Sequence, residues 1–436
     1  MLIDIKFKNY RSIKEEQIFS LEASSLKLKS VNTFTPLKNN KNLNLLKSAV
    51  IYGANASGKS NLIRLMWTLR NFVLNSLELK AGDPIPNRFF DPFLLDITSQ
   101  NEATEISINF IPKSKKRHRY TIKYNRSEIL YEYLGVYETN WISKIFERKD
   151  ANEFVEFGDA MKNKKEDKRV TKNTLFLSKF GGIPNDQLRN IYLYFKEIEV
   201  WNIPSVHHIN ELYNSIQKNL NNPEKQELRK KLSKLISIAD TKITEIQVSE
   251  RPDKDFESLP ENIRERVMKD LKFETFGVHK VFNSGSESGF QMLSFNDQES
   301  QGTKTIFAIG GLILEAFEKE ESVLIFLDEF DNSLHPDLAK FLVELFHNPK
   351  VNKNNSQLVF ATHETTLLDK KVFRKDQIWF GEKNKYGITE IYSVKDFNDL
   401  KSVRSDIPFD KWYKTGKFGG VPNIKKFEFI AEYEQD

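Results

Sequence analysis

Apolar positions along the chain keep two periods. Near the start, Ile3, Ile5 and Phe7 alternate with polar neighbours, and Ile18, Ser20 and Leu21 resume the pattern around a turn, which predicts strands. Ala49-Val50-Ile51-Tyr52 is instead an unbroken apolar run, the pattern of a short parallel strand covered on both faces. From Leu62 the period changes. Leu62, Leu65, Met66, Leu69, Phe72 and Val73 recur at helical spacing, and Gly82-Asp83-Pro84 stops the helix. Short strands at 105–111, 120–124, 129–138 and 142–148, separated by polar turns, predict an antiparallel sheet. Residues 185–275 read as mainly helical and charged, punctuated by Pro204, Pro223 and Pro252, with Lys225–Ile238 amphipathic but short. No heptad pattern runs for several repeats, so no long coiled coil is expected. Glycines and apolar strand runs return from Gly285, among them Val323–Leu327 and Leu358–Ala361. The chain thus divides into 1–184, 185–280 and 281–436.

Composition narrows the class. The 436 residues allow two or three domain-sized units, or one large domain with insertions. With 39% hydrophobic and 29% charged residues the balance is that of a soluble globular chain. No run approaches the roughly 20 apolar residues of a membrane span. The start of the chain alternates like a strand and lacks a signal-peptide core, so a cytoplasmic location is expected. The absence of cysteine excludes a disulfide framework, an iron–sulfur cluster and a cysteine-ligated zinc site. A net charge of +5 is too small to mark a dedicated nucleic-acid binder. The basic run Lys113–Arg119 lies between two strand-like segments, as a solvated hairpin tip or a phosphate-contacting loop. A second basic run extends from Lys162 to Arg169.

The chemistry starts where the apolar run meets the helix. Gly53-Ala54-Asn55-Ala56-Ser57-Gly58-Lys59-Ser60 fits G-x-x-x-x-G-K-[ST] at every fixed position, and Asn61 follows it. Its glycines allow a tight turn in which successive N–H groups face the β- and γ-phosphates of a nucleotide. Lys59 adds a positive charge to the same oxygens, and the Ser60 hydroxyl ligates Mg²⁺. The helix behind the loop points its N-terminus at the anion. Strand, glycine loop and helix in this order mark a nucleotide site.

A second set of residues complements the first. Val323–Leu327 is an apolar run ending in Asp328 and Glu329. A carboxylate at such a strand end can hold Mg²⁺ through its water shell, the role assigned to Asp328. Glu329 is suited to polarise the attacking water. Lys59 and Asp328 lie 269 positions apart, so a large insertion separates them. Upstream of the acids is Glu299-Ser300-Gln301-Gly302-Thr303-Lys304, and just downstream Asp331-Asn332-Ser333-Leu334-His335-Pro336. The run Leu358–Ala361 ends in Thr362-His363-Glu364.

This order resembles the ABC-type ATPase heads of the SMC and RecF group. The resemblance implies an α/β P-loop ATPase head with an antiparallel β subdomain and a helical insertion, with ATP as the nucleotide and Mg²⁺ beside it. The phosphate loop and β subdomain fall in 1–184, the helical insertion in 185–280, and the signature, Walker B, D-loop and switch histidine in 281–436. In that group a Ser-x-Gly signature opens a helix that caps the γ-phosphate held by a partner subunit. Ser300 and Gly302 match it, although an ordinary helix N-cap reads the same way. His363 matches the switch histidine that contacts the γ-phosphate, where the alternative is a hydrogen-bonded histidine at a strand end. Arg11, by resemblance, reaches the nucleotide; otherwise it is a surface arginine. The phrases Phe7–Ser12, Leu46–Leu62, Pro92–Asp96, Glu299–Lys304 and Gly416–Pro422 look like the bacterial RloA-like "AAA family ATPase" proteins, often encoded in phage-defence loci beside a separate effector.

Two functions follow from that resemblance. One is an ATP-hydrolysing switch of an anti-phage, abortive-infection system, working as a homodimer that sandwiches ATP and controls a separate nuclease or toxin. The alternative is a RecF- or SMC-like ATPase of DNA repair, with nucleic acid as partner. A built-in nuclease is not expected. Only 73 residues follow His363, and Asp253-Lys254-Asp255 sits in a polar, proline-flanked stretch.

Overall fold

The computed structural model describes residues 1–26, 28–38, 40–138, 141–161, 166–183, 185–239, 242–397 and 408–421. Part of the second basic run (162–165) and Pro422 lie outside the described residues. In chain order, β1 (Leu2–Lys8) and β2 (Gln17–Ser20) pair antiparallel, and β3 (Thr33–Phe34) and β4 (Leu45–Leu46) form a short ribbon. β5 (Ser48–Tyr52) leads through residues 53–58 into α1 (Lys59–Asn75). Then come β6 (Thr104–Phe110), β7 (His118–Tyr124), β8 (Ile129–Tyr137), β9 (Ile142–Lys149), β10 (Glu156–Phe157), α2 (Asp186–Lys196) and β11 (Glu199–Asn202). Next are α3 (Val206–Asn221), α4 (Gln226–Ile238), β12 (Ile243–Glu250), α5 (Glu261–Leu271), β13 (Phe273–Asn283) and β14 (Ser286–Ser294). α6 (Gln301–Glu318), β15 (Leu324–Asp328), α7 (Pro336–His347) and β16 (Gln357–Ala361) follow. β17 (Ile378–Lys383), β18 (Thr389–Ser393) and α8 (Phe409–Lys414) close the described chain.

Two compact units result. The first takes in Met1–Val200, Leu324–Phe326 and the described residues from Gln357 on. Its seven-stranded sheet runs β10–β9–β8–β7–β6–β1–β2 with antiparallel pairing throughout. The hairpins come from β-branched and aromatic residues alternating inward, such as Ile106 and Ile108 opposite Ile122 and Tyr120. The basic run Lys113–Arg119 makes the turn from β6 into β7, where Lys116 pairs with Glu138 at 2.9 Å. A six-stranded sheet is ordered β11–β15–β16–β5–β17–β18. In it β5 pairs parallel with β16 and β17, as the unbroken apolar run requires. Ile5 and Phe7 of β1, Ile51 of β5, Leu65, Leu69 and Phe72 of α1 and Ile108 of β6 belong to one apolar cluster. α1 therefore shares its core with both sheets, which fixes where the loop before it can stand.

The second unit comprises Trp201–Val323 and Leu327–Ser356. It holds α3–α7 and a three-stranded antiparallel sheet, β12–β13–β14. The helices in 185–275 share that stretch with β12 and the start of β13. These strands lack a run of apolar residues on one face, since β12 reads Ile-Thr-Glu-Ile-Gln-Val-Ser-Glu. Asp253 and Asp255 lie in a short 3-10 turn, both exposed.

Candidate functional site

β5 is wholly buried, and the chain leaves it at Gly53 into the phosphate loop. The loop is shaped by backbone that few side chains tolerate. Gly53 and Gly58 have φ of 156° and 102°, and Ala56 adopts the left-handed region at 60°. A Cβ on Gly53 would stand 2.3 Å from the Gly381 carbonyl oxygen of β17, and one on Gly58 would stand 2.4 Å from Thr389 Oγ1 of β18. Both positions therefore need glycine. α1 begins directly after Gly58 with no side chain capping it, so its first N–H groups are offered to an acceptor outside the helix. The Lys59 side chain is buried, and its ammonium donates to the carbonyls of Gly53 (2.8 Å) and Ala54 (2.9 Å). Asn55, Ala56 and Ser60 are exposed. Ser57 Oγ is buried and has no hydrogen-bond partner among the described residues.

Other elements of the same unit converge on this end of the sheet. β16 and β5 run parallel with Ala361 opposite Ile51, and the Thr362 N–H donates to the Ile51 carbonyl at 3.2 Å. His363, which is exposed, thus leaves its strand at the end where Gly53 leaves its own. The Thr362 hydroxyl accepts from the Glu364 N–H, and the Tyr52 hydroxyl donates to the Glu364 carbonyl, so the backbone around His363 is fixed. Arg11 occupies a tight turn with φ of 53°, closed by mutual hydrogen bonds between Tyr10 and Ile13. Its guanidinium pairs with Asp91 at 3.3 Å, both side chains about three-eighths exposed. Ser12, the next residue, is tied to the loop through Thr389.

The segment after α8 also reaches the loop, which motif reading did not place. Gly420, with φ of 64°, stands so that a Cβ on it would be 3.6 Å from Gly53 Cα. The Tyr413 hydroxyl donates to the Gly420 carbonyl at 3.1 Å, and its ring stacks on Phe380 at 5.3 Å. Burial holds the Tyr413 hydroxyl above its usual pKa, so it stays a donor. Phe418 stacks on the same Phe380 ring.

In the second unit the structure gathers the remaining candidates. Asp328 ends β15 and is buried, and its carbonyl accepts from the Ile203 N–H at 3.1 Å. Glu329 follows with φ of 49°, a left-handed conformation that a glutamate adopts at a cost. Its carbonyl accepts from Asn332 N–H, and Ser333 turns left-handed again at 64° before His335 caps α7. Ser300 is exposed and caps α6, its hydroxyl accepting from the Thr303 N–H at 3.1 Å. A Cβ on Gly302 would lie 3.0 Å from the Ser333 carbonyl oxygen, so the start of α6 packs closely on the turn after the two acids. The cap expected of an ordinary helix is present at Ser300, and so is the glycine contact. Among the described residues no group of three or more His, Asp and Glu side chains could hold a metal ion by itself.

With this geometry in place, the family comparison decides the class. The family model described as "AAA domain, putative AbiEii toxin, Type IV TA system" matches residues 48–369. The chain belongs to this family. It is an AAA/ABC-like P-loop ATPase of mixed α/β fold, and the matched span runs from the strand before the phosphate loop to just beyond His363. No curated protein matches the sequence. Two solved structures of the recombination mediator protein RecF, titled as RecF-ATPrS and RecF-ATP in the RecFOR pathway, align with it at 15% and 14% identity. Each alignment covers 90% of this chain, and 98% and 97% of those chains, with a TM-score of 0.37. A likeness at that score bears on neither site nor function. Among the described residues no helix is long and apolar enough to cross a membrane.

Proposed function

We propose that this ATPase is the nucleotide-driven switch of a bacterial anti-phage, abortive-infection system, acting in the cytoplasm on a separate effector such as a nuclease or toxin. The observation that carries this reading is the family match over residues 48–369, whose description couples an AAA domain to AbiEii toxin and type IV toxin–antitoxin systems. The phosphate loop fits the triphosphate of ATP. Gly53 and Gly58 keep the cradle free of side chains, and the uncapped start of α1 presents N–H groups to the anion. Ala54, Asn55, Ala56, Ser57 and Asn61 shape the loop, and Lys59 adds its charge to the β- and γ-phosphates.

By their places in the two motifs, Ser60 and Asp328 are the residues that would hold Mg²⁺, which in nucleotide sites is held by one or two protein oxygens, the phosphates and water rather than by a cage of side chains. The ion would neutralise charge developing on the phosphoryl oxygens. Glu329, which follows β15 in a left-handed conformation, orients the attacking water and accepts its proton. His363 donates to the γ-phosphate and registers its loss, and Arg11 supplies a second cation from its turn. In a homodimer, Ser300 and Gly302 of one subunit complete the site of the other, so hydrolysis depends on association.

The test is recovery of partners from the native host with the Glu329→Gln variant, with and without ATP and Mg²⁺. A stoichiometric effector protein whose binding changes with ATP is the expected result. Nucleic acid retained only with ATP, without any protein partner, would replace this reading by a DNA-repair clamp.

A further inference from the structure

The hydrogen bonds behind the phosphate loop form a chain whose direction can be worked out donor by donor. Thr389 of β18 is wholly buried, and its hydroxyl donates to the Ser57 carbonyl at 2.8 Å. A threonine hydroxyl carries a single proton, so towards Ser12 Oγ, 2.7 Å away, Thr389 can only accept. Ser12 therefore donates to Thr389, and its own oxygen accepts from the Asn61 side-chain amide at 2.5 Å. The Thr389 N–H adds a bond to the Ser12 carbonyl at 2.7 Å. The relay runs Asn61 to Ser12 to Thr389 to Ser57, leaving α1 just after the loop and returning to the loop itself. Ser12 and Thr389 are 377 positions apart in sequence and meet only at this point.

The bond to the Ser57 carbonyl has a consequence for the next amide. In a planar trans peptide, C=O and N–H point in opposite directions. Fixing the Ser57 carbonyl on Thr389 therefore turns the Gly58 N–H away from β18. Only glycine leaves room for this arrangement, because a Cβ at position 58 would run into Thr389 Oγ1 and Cγ2.

We propose that Thr389 and Ser12 are positioning residues of the nucleotide site, holding the Ser57–Gly58 peptide so that the Gly58 N–H faces the phosphates. This rests on the ATP-binding reading of residues 53–60. Neither residue touches the nucleotide; both act through Ser57. Because the same turn carries Arg11, the relay also keeps that arginine in register with the loop.

The test is calorimetric titration of the full chain with ADP and with a non-hydrolysable ATP analogue, both with Mg²⁺, alongside thermal melting of the nucleotide-free protein. Thr389→Val keeps the shape and removes the donor, leaving a buried carbonyl unsatisfied. Affinity should fall about 5- to 150-fold, the range for such a loss. Thr389→Ser should restore it to within about threefold, since the donor returns. A purely structural role would lower the melting temperature of Thr389→Val and leave affinity where it was, which overturns the proposal. If Thr389→Val does not fold, Ser12→Ala decides: a loss of about 2- to 12-fold is expected, and unchanged affinity overturns the proposal. Failure of the unaltered chain to bind either nucleotide would instead sink the ATP reading itself.

Discussion

Two helices of this chain begin beside a glycine, and they treat their first amides in opposite ways. α1 starts after Gly58 in a left-handed conformation with no side-chain cap. α6 starts after Ser300 in an extended conformation, and the serine hydroxyl takes the Thr303 N–H. Every helix leaves four N–H groups without internal partners. α1 has no side-chain cap on its first amides, of which the Asn61 N–H bonds the Gly58 carbonyl, and draws its shape from Thr389, Ser12 and Gly381 behind it. α6 satisfies one amide itself, a cap worth about 1 kcal/mol. A site meant to hold a ligand tightly is propped from outside, whereas one that meets its ligand only on association can be stable alone. In the proposed dimer that is the division between phosphate loop and signature.

The largest effect expected is on turnover. Glu329→Gln preserves shape and removes the proton acceptor, so kcat should drop about 10²- to 10⁴-fold while nucleotide affinity holds. Single-turnover hydrolysis with titrated ATP would show it. Unchanged turnover would remove Glu329 from the mechanism and leave its left-handed backbone unexplained.

Either helix start can be assayed only while the sheet beneath α1 is intact, and pH limits that. Burial holds the His118 imidazole at about 4, well below the usual 6.5, with Nδ1 bonded to the Lys116 carbonyl. Between those values the unfolded chain binds the extra proton. Stability is therefore full above pH 6.5 and lost as pH falls towards 4, by at most about 3 kcal/mol. Urea unfolding at about pH 7 and about pH 5 should show the loss, and His118→Asn should flatten it. An equal slope in both proteins would refute the assignment.

Lys59→Ala removes the cation from the α1 start alone. Affinity for Mg-ATP should fall by about 1.5–3 kcal/mol, the scale of a charged hydrogen bond, and melting should fall as well, since the buried ammonium also holds the Gly53 and Ala54 carbonyls. A fluorescent nucleotide displacement assay would measure it.

Much of this was legible in the sequence because it is local. Eight consecutive residues carry the phosphate loop, and the apolar runs before Gly53, Asp328 and Thr362 announce their strands without help from elsewhere. The supports were not legible. Thr389 is one polar residue at the start of a strand, Ser12 one serine in a turn, and Gly420 a glycine far from Gly53; only folding brings them to the loop. The β12–β13–β14 sheet escaped for another reason. Phe282 and Phe290 are exposed and β12 is largely polar, so alternation never separates a core face from a solvent face.

The smallest effect is the one that tests α6 most directly. Ser300→Ala removes the cap, and on structural grounds alone should cost about 1 kcal/mol of stability. A Ser300→Asp variant would restore the cap, since aspartate serves there as well as serine, but would place a negative charge where the γ-phosphate is proposed to dock. The two roles of Ser300 then separate. If it is only a cap, the Ser300→Asp variant should melt like the unaltered chain and hydrolyse ATP equally well. If it meets the partner's phosphate, the stability returns while hydrolysis stays low at every protein concentration. Mixing Ser300→Asp with Lys59→Ala sharpens this further. In the mixed dimer the Ser300→Asp subunit supplies an intact phosphate loop and the Lys59→Ala subunit an intact signature, so one whole site is rebuilt. Activity recovered on mixing would place the signature in trans, and none recovered would return Ser300 to its helix.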